Sequence, residues 1–242
     1  MNIGIIGSGE LGTCLASKLA ALGHSISIAN SRGPASIQEL AEEIGAKAVT
    51  VEDAMKNQVI IVSIPQKNIP DLPKERFSKL PREVVVIDTG NYYPMLRDGV
   101  LPTLEQTGID SLWVQEELGF PVVKAFNAIF ASSLNDLGKP AGDAERIAVP
   151  VSGDNPMAKE IVFKLIQDLG FDAFDAGNIS QSWKHQTGSS IYCRDLSREE
   201  LQKRSDAMGT DWSEMRGAIT TRRRDDEILM KVAYLKGLRD SK

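Results

Sequence analysis

Cysteine and histidine are scarce in this chain: two of each in 242 residues. Cys14 and Cys193 stand in separate motifs with no C-x-x-C, which excludes a disulfide framework and a zinc knuckle. His24 and His185 have no spacing that builds a metal site. Positive charge is also short, with 28 Lys and Arg against 33 Asp and Glu and a formal net charge of −5. A nucleic-acid binder would carry the opposite balance, so no nucleic-acid partner is expected. No apolar run approaches the ~20 residues of a membrane helix, and the first strand begins at Asn2 with no basic and apolar leader ahead of it. These absences leave a cytoplasmic chain with no membrane partner and no metal as the expectation.

What is present is ordinary for a globular protein, 42% hydrophobic and 25% charged residues. Apolar strand-like runs alternate with helical patterns, near 2–6, 25–29, 47–49, 58–63, 83–87, 121–125, 146–151 and 171–175. That alternation is the signature of a parallel sheet covered by helices on both faces. Leu11, Leu15, Leu19 and Leu22 recur at helical steps and predict a first helix packed on the sheet, with Cys14 buried in it as a small apolar residue. Ala158, Ile161, Leu165 and Leu169 predict a later helix over 155–169. From about Asp195 apolar runs thin out and charge crowds in, as an appended helical tail would show. Within it Arg222, Arg223 and Arg224 precede Asp225, Asp226 and Glu227 at spacings that allow self-neutralisation along a solvated helix face.

The stretch Ile3 to Ile6 leads directly into Gly7-Ser8-Gly9-Glu10-Leu11-Gly12, a G-x-G-x-x-G between a strand and a helix. In that setting the first glycine permits the turn, the second lets backbone approach a pyrophosphate and the third lets helix and strand pack closely. The helix N-terminus then offers free N–H groups to phosphate. The motif therefore predicts a Rossmann-type, doubly wound, mostly parallel α/β sheet. We read residues 1–178 as its NADP-binding domain and 179–242 as an acceptor-side loop and helical C-terminal extension. A second strand ending in Asp or Glu would hold the adenosine ribose of NAD or FAD. Here Asn30-Ser31-Arg32 takes that place. Arg32 can pair with a 2′-phosphate that a carboxylate would repel, and the Ser31 hydroxyl can donate to it, so the expected cofactor is NADP(H).

Ligands in open α/β sheets bind outside the carboxyl ends of the strands. Three further ends carry polar residues: Ser63-Ile64-Pro65-Gln66, Asp88-Thr89-Gly90-Asn91-Tyr92-Tyr93-Pro94 and Lys124-Ala125-Phe126-Asn127-Ala128-Ile129. With the glycine turn and Ser31-Arg32, these segments resemble the coenzyme F420-dependent family of NADP oxidoreductases over roughly residues 1–178. The resemblance implies the cofactor lying across the strand ends, with Ser63, Ile64 and Pro65 as contacts and Asn91, Asn127 and Ala128 nearby. It also implies a small-molecule redox acceptor, F420 or a flavin, as co-substrate. Pro65 equally fits a simple strand stop, and Tyr92 and Tyr93 fit either stacking on a planar ring or a structural aromatic pair. Phe126 and Ile129 read as core or pocket wall.

After Ala176 the sequence departs from the family. Trp183, His185, Gln186, Ser189, Tyr192 and Arg194 are candidates to line an acceptor site, and His185 is the candidate proton donor because imidazole exchanges protons near neutral pH. Trp212, Met215 and an Ile228-Val232-Leu235 stripe lack a place in the first domain and suggest a homodimer. The expected function is hydride transfer between NADP(H) and a planar acceptor. A reductase of another small acceptor, a truncated hydroxyacid or imine dehydrogenase, and a non-catalytic NADPH sensor or regulator are the alternatives.

Overall fold

The structure, a computed structural model, describes the backbone of residues 1–240 and side chains through residue 233. Six strands form one parallel sheet: β1 Asn2–Ile6, β2 Ser25–Ala29, β3 Lys47–Ala48, β4 Val59–Val62, β5 Val85–Asp88 and β6 Val122–Lys124, in the order β3-β2-β1-β4-β5-β6. The sequence explains the choice. VIIV in β4 and VVID in β5 are buried at every position, as strands covered on both faces must be, and their β-branched side chains suit the pleat. The order reverses between β1 and β4, and a crevice opens at that switch point.

Helices α1 Glu10–Ala21, α2 Gln38–Glu43, α3 Val51–Ala54, α4 Lys74–Phe77, α5 Pro102–Thr107, α6 Asp110–Leu118 and α7 Ala131–Asp136 connect and cover the strands. Leu15 and Leu19 of α1 are fully buried against the sheet and Leu11 is half-buried. Leu22 is not: it is 47% exposed, because α1 ends at Ala21 and Leu22 caps it before a left-handed Gly23. Cys14 is half-buried, its thiol turned toward the Ala131 carbonyl.

The last two expected strands do not extend the parallel sheet. β7 Ala148–Val151 and β8 Asp172–Asp175 pair with each other, flanked by α8 Pro156–Asp168. Lys124 and Ser152 exchange backbone hydrogen bonds of 2.8 and 3.0 Å, which attaches the pair beside β6 in the antiparallel sense. Asn155 caps α8 by accepting from the Met157 and Ala158 amides.

Helices α9 Arg198–Ala207 and α10 Trp212–Asp240 form the tail. Trp212 and Met215 pack into a third apolar cluster with Trp183, Phe174 and Ile219, the two indole rings 5.6 Å apart. The charged run is solvated only in part: Arg222, Arg224 and Asp225 are exposed, but Arg223 and Glu227 are not. Arg223 is buried, stacks 4.8 Å over the Tyr92 ring and pairs with Glu105 at 3.3 Å. Glu227 is buried and accepts from the Met95 and Leu96 amides at 2.8 and 3.0 Å. Both residues turn toward the body instead of toward each other, since unpaired backbone amides and a ring face there need them. Ile228 and Val232 are exposed, while the Leu235 side chain lies outside the described residues. Among the described residues no helix is long and apolar enough to cross a membrane.

One buried ion pair fixes the ends of β5 and β6. Lys124 Nζ lies 3.0 Å from Asp88 Oδ2, and both side chains are completely buried. The remaining lone pairs are filled: Ser111 Oγ donates to Oδ2 at 2.6 Å, the Gly90 amide to Oδ1 at 2.8 Å, and Lys124 Nζ also donates to the Gly90 carbonyl. Removing one partner of such a pair strands a charge, which destabilises by about 3–5 kcal/mol, whereas an exposed pair contributes at most about 1 kcal/mol. Lys124→Met should therefore lower the urea unfolding free energy several-fold more than loss of the exposed Lys164–Asp168 pair through Lys164→Met. Equal losses would refute the anchoring role.

Candidate cofactor cleft and acceptor site

The three glycines of the first turn differ in what demands them. Gly7 has φ +123°, and a Cβ there would lie 2.1 Å from the Ser63 carbonyl oxygen. A Cβ on Gly12 would lie 2.2 Å from the Gly7 oxygen, so α1 could not start where it does. Gly9 has ordinary extended angles, φ −77° and ψ 179°, and a Cβ on it would meet nothing within 4 Å. Neither backbone conformation nor packing requires glycine there. The open space is on the ligand side, at the N-terminus of α1, where a pyrophosphate approaches backbone N–H groups. The residues present thus fit a dinucleotide.

The end of β2 is tied to this turn. Asn30 Nδ2 donates to Ser8 Oγ at 3.4 Å and Ser36 Oγ at 3.0 Å, while its Oδ1 accepts from the Arg32 amide at 3.0 Å. Asn30 is thereby engaged with protein groups, and it leaves Ser31 and Arg32 exposed beyond it. A carboxylate at position 30 could not make the two donations.

A cavity of about 510 Å³ runs along the strand ends. Of the residues expected from sequence, Gly9, Glu10, Leu11, Ser63, Ile64, Pro65, Asn91 and Asn127 line it. Gly7, Ser8, Asn30, Ser31, Arg32 and Ala128 are not in its wall; Ala128 is buried, its carbonyl accepting from the Cys193 amide at 3.1 Å. Sequence reasoning missed Arg97, Phe130, Cys193 and Met230, all of which reach the cavity. A second cavity of about 270 Å³ shares Tyr93, Phe130, Tyr192, Cys193 and Met230 with the first and adds Arg194 and Arg223.

The candidate acceptor loop is mostly packing. Trp183, His185, Gln186 and Ser189 are buried, and Tyr192 and Arg194 alone of the six candidates line a cavity. Tyr92 is also removed from any ring-stacking role: it is buried, and its hydroxyl donates to the Gly99 carbonyl and accepts from the Leu101 amide.

His185 belongs to a directed polar relay. The Asn91 Nδ2 donates to the Asn127 carbonyl at 3.1 Å, and the Asn127 Nδ2 donates to Asn91 Oδ1 at 3.2 Å and to the His185 carbonyl at 2.7 Å. That leaves Asn127 Oδ1 to accept from His185 Nδ1–H at 2.9 Å, and His185 Nε2 to accept from Ser152 Oγ–H at 2.9 Å. Burial, with the Lys124 charge adding to it, pushes the imidazole down to about 3. A neutral ring with both nitrogens occupied and no cavity contact does not deliver protons; it positions Asn127.

Among the described residues three non-glycine residues have left-handed backbone: Phe126 at φ +61°, Cys193 at +48° and Asp195 at +48°. Cys193 lines both cavities and its amide donates to the Ala128 carbonyl, while Phe126 is buried next to Asn127, which lines the first. Such conformations cost of order 1–3 kcal/mol each and collect at functional sites. Among the described residues no group of three or more His, Cys, Asp or Glu side chains could hold a metal ion.

Residues 2–92 match the family described as NADP oxidoreductase, coenzyme F420-dependent. Over that stretch, well under half of its length, the chain is similar to that family. The sheet order and the structural neighbours agree with the Rossmann-type fold expected from the glycine turn. The match ends at residue 92, short of the 1–178 over which the motifs resemble the family. The protein YjhV of Escherichia coli (strain K12) is 41% identical over 56 residues, which are 23% of this chain and 41% of that protein's length. A hypothetical protein of Sinorhizobium meliloti, SMa0349, is 29% identical in its crystal structure, with a TM-score of 0.68 covering 81% of this chain and 96% of that one. A candidate F420-dependent NADP-reductase from Arthrobacter sp. fb24 shares the fold at 22% identity and a TM-score of 0.61, over 91% of this chain and 95% of its own.

Two outcomes follow from the site. Gly9→Val should unfold within a few degrees of the unaltered protein yet lose at least tenfold in NADPH affinity, whereas Gly7→Val should be destabilised outright; comparable melting losses would contradict the distinction. His185 is depressed on folding, so the stability it supplies is complete above about 6.5 and is lost as pH falls toward 3. The unaltered protein should lose more unfolding free energy between pH 7.5 and pH 5 than His185→Gln. Parallel losses would mean the imidazole is not held neutral.

Proposed function

We propose that this protein passes hydride between NADP(H) and a planar redox acceptor of the deazaflavin or flavin type, in the cytoplasm. The carrying observation is Gly9, a glycine that neither its backbone angles nor its packing requires, at the helix N-terminus and in the wall of a cavity that continues to Tyr93 and Tyr192. Bound NADPH would supply the hydride from its dihydronicotinamide ring. Gly9 and the first amides of α1 would hold the pyrophosphate, and Arg32 with Ser31 the 2′-phosphate. Ser63, Ile64 and Pro65 would bound the nicotinamide on one side, with Asn91 and Asn127 fixed by the His185 relay on the other. Direct transfer between two rings needs positioning more than a nucleophile, which suits a wall built of relay-locked and strained residues. The acceptor would enter from the second cavity, beside Phe130 and Met230. A homodimer belongs to the same proposal, packed through Ile228 and Val232, 40% and 42% exposed on α10.

The test is NADPH oxidation by the purified protein with oxidised F420, FMN and riboflavin offered separately and NADH as control donor. Turnover with at least one ring acceptor supports the proposal; NADPH binding without turnover of any would leave a nucleotide sensor instead. Arg32→Glu should weaken NADPH binding at least tenfold and NADH binding little, and equal losses would remove the 2′-phosphate assignment.

A further inference from the structure

The two cavities meet at a pair of tyrosines that lie far apart in sequence. The Tyr93 and Tyr192 hydroxyls are hydrogen-bonded to each other, and both residues line both cavities. Their rings are held. The Arg97 guanidinium lies 5.1 Å over the Tyr93 ring and is itself fixed by Asp98 at 3.0 Å and by the Asn91 carbonyl. The Tyr192 amide donates to Ser189 Oγ at 3.2 Å, and the next residue is the left-handed Cys193, anchored on Ala128.

Counting hydrogens shows what the pair can offer. Two phenols carry two hydrogens, and their mutual bond uses one. Among the described residues neither hydroxyl has another hydrogen-bond partner, and the adjoining Cys193 sulfur is a weak acceptor. One phenolic hydrogen is therefore available to a better acceptor placed between the two cavities. Burial raises both phenols above their ordinary range, so they stay protonated at any working pH.

Building on the hydride-transfer reading, we infer that the Tyr93–Tyr192 pair is the hydrogen-bond donor of the acceptor site and selects acceptors with a carbonyl oxygen or imine-type ring nitrogen conjugated to the hydride-accepting atom. As the acceptor takes the hydride, the C–H bond of the reduced nicotinamide breaks and a new bond to hydrogen forms on the acceptor ring. The displaced electron pair collects on the oxygen or nitrogen, where the tyrosine pair donates to it. Water supplies the proton that completes the reduction. The pair stabilises the charge without giving up its own hydrogen, and a fixed donor aimed at developing charge contributes on the order of 10²-fold in rate. A saturated alcohol or an acceptor lacking such an atom would gain nothing from it.

Tyr93→Phe, Tyr192→Phe and the double variant separate the possibilities, with NADPH binding followed by tryptophan fluorescence and turnover and binding measured with F420, FMN and riboflavin. The expected result is unchanged NADPH affinity within about twofold, a fall in kcat on the order of 10²-fold in each single variant, and little further loss in the double variant, because the hydroxyls act as one unit. If the unaltered protein turns over a ring acceptor and the Phe variants match it, the tyrosine assignment is overturned while the hydride-transfer reading stands. If the unaltered protein binds NADPH but neither binds nor turns over any of the three, the ring-acceptor reading fails and the tyrosine assignment fails with it.

Discussion

The contact between Gly7 and the Ser63 carbonyl sets the spacing on which the site depends. It lies where the sheet changes direction, between the end of β1 and the end of β4, and it leaves no room for a single carbon atom. Because the backbones touch there, α1 begins directly over the crevice with its first amides facing outward, and Ser63 to Pro65 form the facing wall. The same closeness makes Gly12 obligatory and, of the three glycines in the turn, leaves only Gly9 free of any protein demand. A steric constraint inside the fold thus leaves the N-terminus of α1 open on the outside of it.

The other half of the cavity is held by polar groups instead of close packing. The Asp88–Lys124 pair pins the Gly90 backbone at the end of β5, and the Asn91–Asn127–His185–Ser152 relay links that loop to β6 and to the antiparallel bridge. Each member is satisfied by a partner on another segment. Buried polar networks of this kind specify one arrangement, because any slip leaves a donor or acceptor unpaired in a dry interior. The tail completes the wall: Glu227 caps the 95–96 backbone and Arg223 covers Tyr92, which brings Met230 to both cavities.

The sheet and the cofactor turn were legible because they are local. Continuous apolar runs define β1, β4 and β5, and the spacing of three glycines needs no knowledge of the rest of the chain. The Asn30-Ser31-Arg32 end could be read for what it lacks, a carboxylate, although the engagement of Asn30 with Ser8 and Ser36 depends on loop geometry. Leu22 shows where helical periodicity stops being informative: the pattern continues one residue past the helix. The acceptor side was much less legible. His185 in sequence is an ordinary proton carrier, and only its burial between Asn127 and Ser152 makes it a neutral spacer. Arg223 and Glu227 look like any charged helix face until tertiary partners claim them. The meeting of Tyr93 with Tyr192 joins segments 99 positions apart, and no periodicity encodes it.

The most direct test of the account is a crystal structure of the protein with NADPH. The expected result places the pyrophosphate on the amides beside Gly9, the 2′-phosphate within ion-pair distance of Arg32, and the nicotinamide between Ser63–Pro65 and Asn91 with its reactive carbon facing the Tyr93–Tyr192 hydroxyls. A 2′-phosphate turned away from Arg32, or a nicotinamide facing away from the tyrosines, would contradict it.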